Sequence, residues 1–184
     1  MTKDWRNYSR VAFDAMKANR DNWATGNHDI QRAVTKIYYD LVFSSGYNRT
    51  GLISDAAFDR KMDKLKVVDD HVFSPQFVGR MMMDMGDVYL NDYDQFEQVF
   101  GLCRTVITVT SEENSALRQL TSNVNGEFIV LVPTIHKYSS LKIKLRQKTG
   151  SKWSTAKPVF ESVQSLLNVP DRLTSYETQF IPVS

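Results

Sequence analysis

Two strand-like runs separated by a helical segment place the strongest constraint on how this chain can fold. The first run covers residues 65–73, and the second covers residues 105–110. The segment between them, 74–101, repeats apolar residues at helical spacing instead. Strands and helices in this irregular order are typical of the α+β class. We therefore expect a small single α+β domain over residues 1–184.

The rest of the chain predicts flanking helices and strands. Residues 1–64 read as mostly helical, and the clearest helical period is that of residues 30–42. Ser54 is expected to cap a short helix that ends near Lys64. Other predicted features are a helix over 3–23, a loop over 47–51, a tight turn at Asn125-Gly126, strands over 128–132 and 141–146, and helices over 160–167 and 171–180.

The segment 74–101 reads as a helical insertion with its own apolar face. Ser74 followed by Pro75 favours a helix start, and a stripe of Phe, Val and Met side chains follows it, which predicts core packing. A second short helix is expected over 92–100. Residues 84–97 hold five acidic residues and no basic one. We therefore expect this insertion to face away from any polyanion that the chain binds.

Overall composition excludes several classes of protein. The single cysteine, Cys103, excludes an internal disulfide framework and a cysteine-rich zinc site. No Gly-rich phosphate loop or dinucleotide fingerprint is present. No apolar run is long enough for a signal peptide or a membrane span. We expect a soluble, cytoplasmic protein with no membrane partner, located in the host-cell cytoplasm if the chain is viral.

Basic residues concentrate in the C-terminal part of the chain. Residues 128–160 hold seven Lys or Arg and no acidic residue, whereas the whole chain has a net charge of only +2. This distribution predicts contact with the phosphates of double-stranded DNA. The alternative is an edge strand whose lysines prevent aggregation. The predicted DNA-binding residues are Lys142, Lys144 and Arg146 on one strand face, then Lys148 and Lys152, with Arg60, Lys61 and Lys64 from the N-terminal part.

Of the three histidines, His71 alone follows carboxylates on a predicted strand. Phosphodiester hydrolysis needs a base to activate water and a divalent cation to neutralise developing charge. A neutral imidazole can be that base, and Asp70 can hold a cation. Asn114, at the start of the helix after the second strand, can supply an amide oxygen.

The order of these residues resembles that of the HNH, or ββα-metal, endonucleases. In that family the first strand ends in Asp-His, here Asp70-His71, and a second strand leads to a helix that carries an Asn, here Asn114. The resemblance implies a ββα-metal core within residues 65–120, split by the insertion. It also implies that His71 is the base and that Asp70 and Asn114 hold Mg²⁺ or Mn²⁺. Asn123 and Asn125 are alternatives for the third residue.

The sequence therefore leaves three functions open. The first is a metal-dependent DNA endonuclease of the phage or free-standing homing type, which would cut both strands as a homodimer or by two sequential nicks. The second is a non-catalytic DNA-binding protein or repressor derived from such a nuclease. The third is a protein-interaction module that uses residues 77–100 and has no nucleic-acid role. An Asp-His pair is also compatible with an ordinary strand end.

Overall fold

The structure, a computed structural model, has an α+β fold that divides into two compact units. It describes residues 4–124, 127–159, 166–167 and 169–182. The helical unit comprises Met1–Asn48 and Phe73–Thr105, and the sheet unit comprises Arg49–Val72 and Val106–Ser184. Within the described part of the chain, no helix is both long enough and apolar enough to cross a membrane.

The helical unit joins the N-terminal helices to the predicted insertion. Its helices are α1 (Trp5–Ala18), α2 (Arg20–Ala24), α3 (His28–Ser44), α5 (Pro75–Asp84), α6 (Gly86–Tyr89) and α7 (Tyr93–Cys103). Helix α3 packs on α5, and α1 packs on α3 and α7. The predicted start of α5 is confirmed, because the Ser74 side chain accepts from the Phe77 amide and Pro75 occupies the first turn.

Aromatic side chains fill the core of the helical unit. The rings of Phe13 and Phe96 meet edge to face at 5.3 Å, and those of Tyr38 and Phe100 do so at 5.6 Å. Helices α3 and α5 approach closely at Gly79, where an added Cβ would lie 2.9 Å from Tyr38 Cδ1. The Met81 and Met82 side chains are completely buried, so the Met stripe is core, as its spacing predicts.

The sheet unit contains a five-stranded sheet. Its strands are β1 (Asn48–Ser54), β2 (Val68–His71), β3 (Thr105–Val109), β6 (Leu145–Gln147) and β7 (Lys157–Val159), in the order β2-β3-β1-β6-β7. All five residues of β3 are buried. The other elements are α4 (Asp55–Met62), α8 (Ser111–Arg118), the antiparallel pair β4 (Thr121–Val124) and β5 (Glu127–Val130), α9 (Lys137–Ser140) and α10 (Asp171–Glu177).

Three secondary-structure predictions are wrong. The expected loop over 47–51 lies largely in β1, with Gly51 at φ +75°. The expected strand over 141–146 begins only at Leu145, because Lys142 adopts φ +57° in a turn. The expected helix over 3–23 breaks at Asn19, between α1 and α2. The Asn125-Gly126 turn and most of the helix expected over 160–167 lie outside the described residues.

Candidate functional site

Strands β2 and β3 and helix α8 follow one another in the order expected of a ββα core. Strands β2 and β3 pair antiparallel, with Asp70 opposite Ile107 and His71 opposite Val106. Helix α8 begins directly after β3 and contacts β2. The partly buried Asn114 therefore belongs to a helix that lies against the strand of Asp70 and His71. Because successive strand residues point to opposite faces, Asp70 and His71 do not share a face of the sheet.

The predicted start of α8 explains its orientation. Thr110 and Glu113 form a capping box, with the Thr110 amide donating to Glu113 Oε2 at 2.9 Å and the Glu113 amide donating to Thr110 Oγ1 at 3.2 Å. The Ser54 hydroxyl, which caps α4, also donates to Glu113 Oε2 at 2.5 Å. One carboxylate thus joins the starts of α4 and α8 where β1 and β3 end.

Asp70 lies in a buried ion pair. Its Oδ2 accepts from Lys137 Nζ at 2.7 Å and from the Tyr138 hydroxyl at 2.6 Å. Lys137 Nζ also donates to the His71 carbonyl at 2.7 Å. The side chains of Asp70, Lys137 and Tyr138 are all nearly inaccessible to solvent. These contacts hold the end of β2 to α9 and neutralise the carboxylate charge.

A second buried carboxylate interacts with Lys137 of this ion pair. Glu177 on α10 accepts from the Thr134 amide at 3.0 Å and from the Thr134 hydroxyl. Burial raises the pKa of Glu177, although hydrogen bonds from Thr134 and the charge of Lys137 oppose the shift. Burial, with Asp70 beside it, raises the pKa of Tyr138 well above its usual value, so the phenol remains a donor. We call these five residues the Asp70–Glu177 network.

The Asp70–Glu177 network does not fit a resident Mg²⁺. The cation prefers free oxygen ligands, whereas Lys137 and Tyr138 occupy Asp70 Oδ2 at hydrogen-bonding distance. Removing the ammonium would leave buried charge uncompensated. No group of three His, Cys, Asp or Glu side chains within the described ranges is placed to hold a metal ion. Asn123, the alternative third residue, lies in β4, and Asn125 lies outside the described residues.

The predicted basic strand face is not formed. Lys142 lies in a turn and Lys144 precedes β6, where its carbonyl accepts from the Asp55 amide at 3.0 Å. Arg146 is in β6, but its Nε donates to Asp55 Oδ1 at 2.7 Å, and its guanidinium lies 4.6 Å from the Phe58 ring centroid. The three cations therefore do not form one alternating row.

Two other basic residues converge on the Trp153 ring, a contact that the sequence did not reveal. Lys61 Nζ, from α4, lies 5.0 Å from its ring centroid, and Lys148 Nζ, from the segment after β6, lies 5.3 Å from it. Lys64 and Lys152 are exposed. Arg60 instead forms an ion pair with Glu112 at 3.1 Å. We call Trp153 and the two lysines on its ring, together with Lys64 and Lys152, which are close to them in sequence, the Trp153 surface.

Comparison with known proteins identifies no relative of this chain. No family model, no curated protein and no solved structure matches the chain.

Proposed function

We propose that this chain is a DNA-binding protein that contacts the phosphate backbone through the Trp153 surface. The observation that supports the proposal is the convergence of Lys61 and Lys148 on Trp153. These two residues are distant in sequence but lie within 5.3 Å of one ring centroid. Cations interleaved with an aromatic side chain are a common means of holding a nucleic-acid strand.

The charge pattern near the Trp153 surface also favours an anionic partner. Asp55 and Glu112 are each paired with an arginine. Asp59 and Asp63, on either side of Lys61 in sequence, are exposed, so two carboxylates accompany the lysines. Lys64, Lys152 and Lys157 are exposed. Release of counterions from DNA phosphates by such lysines supplies most of the affinity of sequence-independent binding.

The double variant Lys61→Ala/Lys148→Ala is expected to bind DNA more weakly and with a smaller dependence on salt. If each lysine contacts one phosphate, the slope of log K against log salt should become less negative by about 2. If the variant and the wild type bind equally at 1 M salt, the affinity of the variant at 0.15 M salt should be roughly 30-fold lower than that of the wild type. Fluorescence anisotropy with a labelled oligonucleotide, titrated at several salt concentrations, measures both quantities.

A matched control removes the same two charges from the helical unit. Lys17→Ala/Lys36→Ala alters one exposed lysine of α1 and one of α3. Its affinity and salt slope should remain close to those of the wild type. Equal losses in both double variants would show that net charge, and not the Trp153 surface, governs binding. Absence of binding by the wild type at low salt would refute the proposed function.

A metal-dependent endonuclease with Mg²⁺ or Mn²⁺ is the second candidate. The contact of α8 with β2, directly after the β2–β3 pair, favours it. The ion pair of Asp70 with Lys137 counts against it, since it occupies the expected metal ligand.

The third candidate is a protein-interaction module that uses residues 77–100. The apolar face of these residues is core, so a partner would meet mostly the polar side of the segment.

Substitution of His71 separates binding from cleavage. If the chain only binds DNA, neither the wild type nor His71→Ala should nick supercoiled plasmid in the presence of Mg²⁺ or Mn²⁺. If His71 is a general base, the same substitution should slow nicking by about 10²- to 10⁴-fold. Oligonucleotide affinity, measured in parallel, shows whether the variant is folded, and we expect it to be unchanged.

A further inference from the structure

We infer that the Trp153 surface binds single-stranded segments, with an unpaired base stacked on the Trp153 ring and its flanking phosphates held by Lys61 and Lys148. The inference rests on the proposed function and names the form of nucleic acid that the same surface prefers. Two structural features support it: the turn that holds the Trp153 ring, and the side chains that surround this ring.

The Trp153 ring is held by a fixed turn. Residues Trp153–Thr155 form a 3-10 turn between β6 and β7. The Thr155 hydroxyl donates to the Lys152 carbonyl at 2.7 Å, and the Thr149 hydroxyl donates to the Thr155 carbonyl at 2.8 Å. A platform that is ordered before binding loses little conformational freedom when a base stacks on it.

Part of the indole is anchored and part reaches solvent. Trp153 packs against a buried cluster of Ile53, Ala57 and Ala156, and Phe58 packs against the same cluster. The indole nevertheless remains partly exposed. This anchoring supports the ring from the protein side, while the partial exposure leaves surface for a ligand.

The lysines on the ring can serve a stacked nucleotide. Their ammonium groups lie near the π face because its quadrupole attracts cations. Lys61, Lys148 and Trp153 are each partly exposed, and a cation–π contact at an exposed site changes an equilibrium by about two- to fivefold. Stacking of one base on an aromatic side chain is worth about 5- to 150-fold in affinity. A base can therefore displace an ammonium group from the face, and the flexible lysine can turn to the adjacent phosphate.

Duplex DNA cannot use the ring in this way. Its bases are stacked on one another, so it presents phosphates to the lysines but no free base face to Trp153. A single strand presents both groups, and every base has a π face, which predicts weak sequence preference. A second cation–aromatic pair, Arg146 with Phe58, lies beside the buried cluster of Ile53, Ala57 and Ala156.

The experiment compares three labelled ligands of equal length: single-stranded DNA, the same strand with abasic sites throughout, and duplex DNA. Wild-type protein and the variants Trp153→Leu and Trp153→Phe are titrated with each ligand. Leu retains an apolar contact with the buried cluster and removes the π face, whereas Phe retains a ring. Binding is followed by fluorescence anisotropy.

We expect Trp153→Leu to lose about 5- to 150-fold in affinity for the normal single strand. Its affinity for the abasic strand and for the duplex should change by less than about twofold, since phosphate contacts remain. Trp153→Phe should recover part of the loss. The wild type should prefer the normal strand to the abasic strand, and Trp153→Leu should not.

Three results would overturn the inference. An equal affinity of the wild type for normal and abasic strands would exclude base stacking and leave phosphate binding intact. A uniform loss of affinity for all three ligands in Trp153→Leu would assign the ring a purely structural role. If the wild type bound none of the ligands at low salt, the proposed function would fail together with the inference.

Discussion

Lys137→Ala is expected to lower the free energy of unfolding by about 3–5 kcal/mol, the effect of breaking a buried ion pair by removing one partner. Lys137 and Asp70 are 8% and 6% exposed. Loss of the ammonium would leave the Asp70 carboxylate buried with Tyr138 as a remaining donor, and would also remove the hydrogen bond to the His71 carbonyl. Urea denaturation followed by circular dichroism measures the change.

Two variants test whether burial of the charge causes this loss. Lys36→Ala removes a side chain that is 65% exposed and pairs with Asp40, so it should cost less than about 1 kcal/mol. The double variant Asp70→Asn/Lys137→Met removes both charges and should be more stable than Lys137→Ala alone. If Lys137→Ala lowered the free energy of unfolding no more than Lys36→Ala, the buried Asp70 carboxylate would not need Lys137 to neutralise it. The predicted role of Asp70 as a metal ligand would then gain support.

The sequence predicted those elements whose signals are local. Ser74 with Pro75 marks one helix start, and Thr110 or Ser111 followed by Glu112 or Glu113 marks another, because a cap satisfies backbone amides within three residues. The structure forms the second cap from Thr110 and Glu113. The apolar period of α3 is equally local, and the observed helix, His28–Ser44, extends beyond the predicted 30–42 at both ends. Strands β2 and β3 were likewise located in sequence, although their pairing was inferred only from the resemblance.

Strand β1 and the start of β6 could not be predicted because sheet partners determine them. Gly51 favours a turn in sequence, but β1 lies beside β3 and β6, which satisfy its backbone. An added Cβ at Gly51 would lie 3.3 Å from Gln147 Nε2, so glycine suits the close approach of β6. The alternation of Lys142, Lys144 and Arg146 matched a strand only by coincidence, since Lys142 adopts a left-handed conformation.

The residues of the candidate sites show the same limit. Asp70 and His71 were identified from neighbouring residues, but the partner of Asp70 is 67 positions away. No periodic or capping signal connects Asp70 to Lys137, or Lys61 to Trp153. A sequence pattern can therefore assign a charged residue to a helix or a strand. The residue that pairs with it is determined by tertiary packing.

Phe96→Ala is expected to destabilise the protein by about 3–5 kcal/mol, the usual loss for truncating a fully buried aromatic side chain. Phe96 lies on α7 and has no exposed surface. Its ring meets Phe13 edge to face at 5.3 Å and Tyr38 at 6.2 Å. The loss would combine the transfer free energy of the ring with a cavity that these rigid neighbours cannot close.

Phe96→Leu separates burial from ring geometry. Leucine keeps most of the apolar volume, so this variant should lose less than Phe96→Ala, and the part it still loses reports the aromatic contacts. Guanidinium denaturation of both variants measures the two contributions. A loss below about 1 kcal/mol in Phe96→Ala would contradict the close packing of α7 against α1 and α3. In that case the predicted insertion would be an appendage, and not part of the core that the N-terminal helices bury.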